Sequence, residues 1–249
     1  MLLQRSFTMF DNCVIDKFLF EEREATVVHP TVPANGYWVW KAEYFDAFPN
    51  FEEAMVQRGY HVVFIDHDNR WASPESIDQS ARFLKFVAEK YNLKQRGIAV
   101  GMSCGGLISA TLAEKYPELI DVLYLDAPVL NILSLAGLGA LDDPSVACFR
   151  REIFDTYDLS PSSLVSFRGS PIDNMQPLID HKIPVIMLYG NMDKVVIYLE
   201  NGKVLENFYR ANGGTIKVIR KSMVGHHPHG LENPQPIIDF VEAHLGEAI

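Results

Sequence analysis

Short apolar runs alternate along the chain with longer segments whose apolar positions recur every three or four residues. The first kind predicts buried strands and the second amphipathic helices. Lys17–Phe20 and Ala25–His29 flank the acidic stretch Glu21–Glu24, which predicts an antiparallel pair. Pro30, Pro33 and Gly36 then break the pattern. Tyr37–Trp40 is aromatic and β-branched and predicts a strand, with Trp38 and Trp40 on one side as core residues. Phe51–Arg58 suits a helix ended by Gly59, and Tyr60–Ile65 a strand. Ser73-Pro74-Glu75 supplies a cap and an early proline for the next helix, where Ile77, Ala81, Leu84, Ala88 and Tyr91 share one face. Further strands are predicted over Ile98–Val100, Val122–Leu125, Pro184–Tyr189 and Thr215–Arg220. Helices are predicted over Leu107–Lys115, Leu199–Asn212 and Pro234–Leu245.

From about residue 37 onward this alternation predicts an α/β fold: a mostly parallel sheet with helices on both faces. Residues 129–182 interrupt it with GLGAL, several prolines and two short helices near 147–157 and 161–167. They are expected to be a lid inserted in a single domain spanning 1–249. In such sheets the chemistry lies outside the carboxyl ends of the strands. Ser103, Asp126, Asp193 and the His226 region all follow predicted strand ends.

Gly97–Pro117 carries the most informative local pattern. Gly101-Met102-Ser103-Cys104-Gly105 fits G-x-S-x-G, with a second glycine at Gly106. By composition alone that motif would arise in a chain of this length about once in ten. Its placement between a strand and a helix is what a nucleophile elbow requires. Cys104 as nucleophile would need glycines at 102 and 106, and position 102 is Met.

The elbow and the order Ser103…Asp193…His226 resemble the α/β-hydrolase superfamily, from about Tyr37 to the C-terminus. Within it the chain looks most like bacterial serine esterases related to the prolyl-oligopeptidase-like hydrolases. The resemblance implies an eight-stranded, mostly parallel sheet and a lid after the sixth strand. It implies Ser103 as nucleophile, Asp193 in the Gly-x-x-Asp turn as the acid, and His226, directly after Gly225, as the base. Asp126 is the alternate acid and His227 the alternate base, with His229 behind it. The Cys104 amide is expected to form one arm of an oxyanion hole. The lipase-type HGGG motif is absent after Tyr37–Trp40, so the other arm is expected from the amide of Lys41 or Ala42. His29, His61, His67, His181 and His244 are expected to be structural or surface residues.

The implied reaction is hydrolysis of a small carboxylic ester through an acyl-enzyme, with no cofactor. Amides, thioesters, lactones or a perhydrolase reaction would use the same groups. The rival class is a hydrolase-fold protein that binds a ligand without catalysis, but such proteins usually lose one of the three residues. Short His-rich tracts can hold metals. No Cys or carboxylate joins residues 226–229 at ligand spacing, so no metal is expected. Leu133, Leu135, Leu138 and Phe149 are apolar enough to line a pocket, and equally to form the lid's own core or a dimer contact.

Composition adds exclusions. The net charge of −10 disfavours nucleic acid and anionic membranes as partners. The three cysteines, Cys13, Cys104 and Cys148, show no CxxC spacing. The N-terminus lacks a signal-peptide core, and no apolar stretch of about 18 residues is present to span a bilayer. A cytoplasmic protein is expected, its oligomeric state open, with a homodimer among the alternatives.

Overall fold

The β-branched and aromatic runs of the sequence become strands in the computed structural model, which describes residue 10 and residues 12–248. Among the described residues the strands are β1 (Ile15–Phe20), β2 (Arg23–Val28), β3 (Trp38–Lys41), β4 (His61–Ile65), β5 (Gly97–Met102), β6 (Ile120–Asp126), β7 (Val185–Gly190) and β8 (Ile216–Lys221). They form one sheet in the order β1-β2-β4-β3-β5-β6-β7-β8. β1 pairs antiparallel with β2, and β2 with β4; every other pair is parallel. The helices are α1 (Asn50–Val56), α2 (Pro74–Lys90), α3 (Cys104–Lys115), α4 (Val146–Tyr157), α5 (Pro161–Leu164), α6 (Gln176–Asp180), α7 (Gly202–Ala211) and α8 (Gln235–His244). Ser73 caps α2 by accepting the Ser76 N–H, and Pro74 opens the helix.

Side chains of a strand point alternately to opposite faces, so the sheet divides the core in two. Trp38, Trp40, Leu123, Leu125, Val185 and Met187 face α2, α3 and α7. Val39, Val122, Tyr124, Ile186 and Leu188 face α1 and α8. The segment between β6 and β7 joins the first of these cores through Ile132, Leu135, Ile153, Leu164 and Leu178.

One expected helix is interrupted. Leu199–Asn212 reads as continuous in sequence, but α7 starts only at Gly202, after a 3-10 turn over Tyr198–Glu200. The break lies at Asn201, which is fully buried. Its Oδ1 accepts the N–H groups of Leu130 and Asn131, and its Nδ2 donates to Ile197 O and Ser134 Oγ. Those bonds satisfy the backbone where the chain leaves β6, and a continuous helix would not place the amide there.

Candidate active site

β5 is buried along its length, and the chain must turn sharply at its end to enter α3. Ser103 makes that turn with φ 52° and ψ −121°, a region that costs a residue with a Cβ of order 1–3 kcal/mol. Its N–H donates to Asp126 O at 3.0 Å, and its carbonyl accepts Gly106 N–H and Val129 N–H, both at 2.9 Å. A Cβ at position 106 would run into the Pro128 ring, so the glycine is needed for α3 to sit against β6.

Asp193 lies in the turn after β7. Its Oδ1 accepts the amides of Val195 (2.8 Å) and Val196 (3.0 Å), and its Oδ2 meets His226 Nδ1 at 2.8 Å. Burial pushes this carboxyl's pKa up. The hydrogen bond and charge of His226, with the two amides, outweigh that and hold it below its ordinary value. His226 Nε2 stands 3.0 Å from Ser103 Oγ. With Asp193 accepting from Nδ1–H, the lone pair of Nε2 faces the serine hydroxyl.

Two loops must meet for this contact. Met192 N–H donates to Val224 O, Met223 N–H to Asn191 Oδ1, and Asn191 N–H to Lys221 O. A side chain at Gly190 would strike the carbonyls of Val224 and Gly225. A buried ion pair anchors the histidine loop from the other side. Lys221 Nζ bonds both oxygens of Asp126 at 2.9 Å and also Pro228 O, while Gly230 N–H donates to Asp126 Oδ2. Removing one partner strands a buried charge. Lys221→Met is therefore expected to cost about 3–5 kcal/mol in urea unfolding. The double variant Asp126→Asn/Lys221→Met should recover much of the loss.

Ser103 and His226 open on a cavity of about 310 Å³ lined among others by Tyr44, Phe48, Arg70, Leu135, Phe149 and Val195. Arg70 is the cation of this wall. Its guanidinium is paired with Glu152 at 2.9 Å and lies over the rings of Trp71 and Phe149. Of the four apolar lid residues, Leu135 and Phe149 line the cavity, Leu138 is exposed, and Leu133 packs against the core.

A family model described as alpha/beta hydrolase fold matches residues 27–149, which include the Ser103 turn and end before Asp193. Acylaminoacyl peptidase from Pyrococcus horikoshii aligns with a TM-score of 0.72 at 13% identity, over 95% of this chain and 42% of the peptidase. Esterase B from Lactobacillus Rhamnosis HN001 aligns with 0.69 at 13% identity, over 94% and 85% of the two chains. A thermostable esterase from Pseudomonas putida ECU1011 aligns with 0.62 at 18% identity, over 93% and 79%. The chain has the α/β-hydrolase fold. At these identities the likeness to the solved structures is one of fold, and the chain spans about two fifths of the peptidase's length. No curated protein matches it in sequence.

Several expected α/β-hydrolase site residues fall elsewhere. Asp126 is not beside His226 Nδ1, which Asp193 occupies; its carboxylate is committed to Lys221 and Gly230. His227 is exposed and stacks on Phe48, with no hydrogen bond to Ser103. Partial desolvation, then His226 and His229, hold its pKa below the usual histidine range. The Ala42 amide is not free for an oxyanion, because it donates to Val100 O at 3.0 Å and continues the β3–β5 ladder. The Lys41 amide stays the alternative donor, with the side chain of that residue buried on Glu52. Cys104 opens α3, where an N–H has no carbonyl one turn back, so its amide lies outside the helix's own ladder. Burial pushes the Cys104 thiol up to about 11, and a neutral thiol is a poor nucleophile.

Two residues escaped the sequence pattern. Tyr44, with φ 54°, turns its side chain into the cavity beside Cys104. Burial, then Cys104 and Glu43, raise its phenol well above the usual tyrosine range, so it stays a hydrogen-bond donor. The signal was faint: an aromatic two residues beyond the donor expected at Ala42. Arg70, in the segment between β4 and α2, had no local signal.

Proposed function

We propose that this chain is a serine hydrolase of small carboxylic esters. The observation that carries the reading is the continuous relay Asp193–His226–Ser103, with contacts of 2.8 and 3.0 Å, opening on an apolar cavity. His226 Nε2 takes the Ser103 proton as Oγ bonds to the ester carbonyl carbon. The tetrahedral intermediate collapses, His226 returns the proton to the leaving alkoxide, and an acyl-enzyme remains. Water, deprotonated by His226, then releases the acid and restores Ser103. Asp193 stabilises the imidazolium throughout. The oxyanion is held by the Cys104 amide and by Tyr44, in place of the Ala42 amide. Tyr44→Phe is expected to lower kcat by about 10²–10³ with a smaller change in KM, measured on p-nitrophenyl esters.

The cavity sits at the small end of ligand pockets. Arg70 is answered by Glu152, so the wall favours a neutral, short acyl or alcohol group. Residues 129–182 act as the lid of a single domain, supplying Leu135 and Phe149 to the cavity. Among the described residues no helix is long and apolar enough to cross a membrane, and the free cysteines accord with a reducing cytoplasm.

The test is labelling by a fluorophosphonate, with the adduct located by peptide mass spectrometry, beside p-nitrophenyl esters from acetate to octanoate. An adduct on Ser103 and turnover falling with chain length are expected. An adduct on another residue would overturn the assignment. Amide cleavage is the second reading, favoured by the acylaminoacyl peptidase among the fold relatives. Faster turnover of p-nitroanilides than of matched esters would select it.

A further inference from the structure

His226, His227 and His229 each bring one ring nitrogen within 4.8 Å of the other two. Their rings pack edge to face, with centroids 4.8 to 4.9 Å apart. The proposed chemistry uses only His226. His229 calls for another explanation, because its side chain is 2% exposed and lines the cavity. Neither of its ring nitrogens has a hydrogen-bond partner among the described residues.

The surroundings of these rings match those of metal ligands. A carboxylate hydrogen-bonds one of them, Asp193 Oδ2 at 2.8 Å from His226 Nδ1, and a second carboxylate oxygen, Asp126 Oδ1, lies 3.5 Å from His229 Nδ1 without a hydrogen bond to it. A carboxylate on one imidazole nitrogen fixes the tautomer that leaves a lone pair on the other, which is how metal-binding histidines are usually oriented. In sequence no carboxylate accompanies the tract; the fold supplies both, from the ends of β6 and β7. His227 is exposed and stacks on Phe48, so it closes the cluster from the solvent side. Three imidazoles and one open position suit zinc, with Zn–N bonds of about 2.0–2.1 Å. A tetrahedral site needs ligand nitrogens roughly 3.4 Å apart, so the rings close by no more than about 1.5 Å. The nearby cations do not oppose this, since Lys221 is neutralised by Asp126 and Arg70 by Glu152.

We propose that His226, His227 and His229 form a site for a divalent transition metal, zinc above all, and that its occupancy arrests hydrolysis. Coordination uses the Nε2 lone pair of His226 that otherwise accepts the Ser103 proton, so a loaded site has no base. The arrest rests on the serine mechanism proposed above. The binding does not.

The test titrates the chelator-treated full chain with cobalt, followed by its visible absorption, and with zinc, followed by displacement of a chromophoric chelator. One equivalent is expected, with the bands of four-coordinate cobalt and no near-ultraviolet thiolate band. Ser103→Ala, which keeps all three rings, should bind equally well. Loss of even an outer partner costs a metal site about 10–100-fold, so His227→Ala and His229→Ala should each weaken binding by about 100-fold or more. His227 is exposed, which keeps that variant decisive should His229→Ala unfold. Zinc should stop ester hydrolysis over the concentrations at which it binds. No stoichiometric binding, a thiolate band, or unchanged affinity in His227→Ala would overturn the site. Tight binding with full hydrolysis would overturn the arrest. A chain that hydrolyses no ester still reports the site through the cobalt spectrum, so failure of one reading is distinct from failure of the other.

Discussion

Ser103→Ala is expected to reduce kcat for p-nitrophenyl butyrate by about a million-fold, with KM and the unfolding midpoint nearly unchanged. The size of the effect follows from geometry. Ser103 Oγ is the atom 3.0 Å from His226 Nε2 at the cavity mouth, so without it no acyl-enzyme forms. Residual turnover, about 10³–10⁴ over water, would come from the oxyanion donors and binding alone. Stability should hold because Ser103 is fixed by its backbone, through Asp126 O, Gly106 N–H and Val129 N–H, which alanine retains. Alanine still has to adopt φ 52°, so the turn stays as strained as before. Activity surviving in the alanine variant would move the nucleophile away from this turn. Cys104 would not be its natural successor, because its thiol is buried and held up to about 11.

Asp193→Asn is expected to lower kcat by about 10⁴ while the fold stays intact. The carboxylate accepts three hydrogen bonds, from His226 and the amides of Val195 and Val196. An asparagine can keep the two amide bonds through its oxygen. It then presents an NH2 to His226, which favours the tautomer with the proton on Nε2, facing Ser103. A base in that tautomer cannot take the serine proton, so the loss appears in kcat and not in KM. Asp126→Asn separates the two carboxylates. It should lower stability by weakening the Lys221 pair, yet leave His226 oriented by Asp193. If Asp126→Asn instead produced the large kcat loss and Asp193→Asn did not, the acid would have been assigned to the wrong strand.

Much of this fold is legible in the chain because its signals are local. Each of the eight strands carries its own apolar run, and Trp38/Trp40 against Val39 shows the alternation that divides the two cores. The Ser103 turn is legible in part for the same reason: a Cβ at Gly101 would strike Gly105, Gly106 and Ser109, all within the turn and the first turns of α3. The break at Asn201 was hidden, since its amide serves Leu130 and Asn131, some seventy residues away. Tyr44 was missed because the Ala42 amide, apparently free in sequence, is taken by Val100 in a neighbouring strand.

The sequence by itself determined the parallel α/β sheet, the elbow at Ser103, and the short set of acids and histidines placed after strand ends. Periodicity and tight-turn stereochemistry act over a few residues, so they are written where they operate. Only the tertiary structure decided that Asp193 serves His226 while Asp126 is consumed by Lys221. It alone turned Tyr44 and Arg70 toward the cavity and gathered three histidines in front of two carboxylates. Those choices depend on which loops meet across the ends of β6, β7 and β8, and that is set by strand order and packing rather than by spacing along the chain.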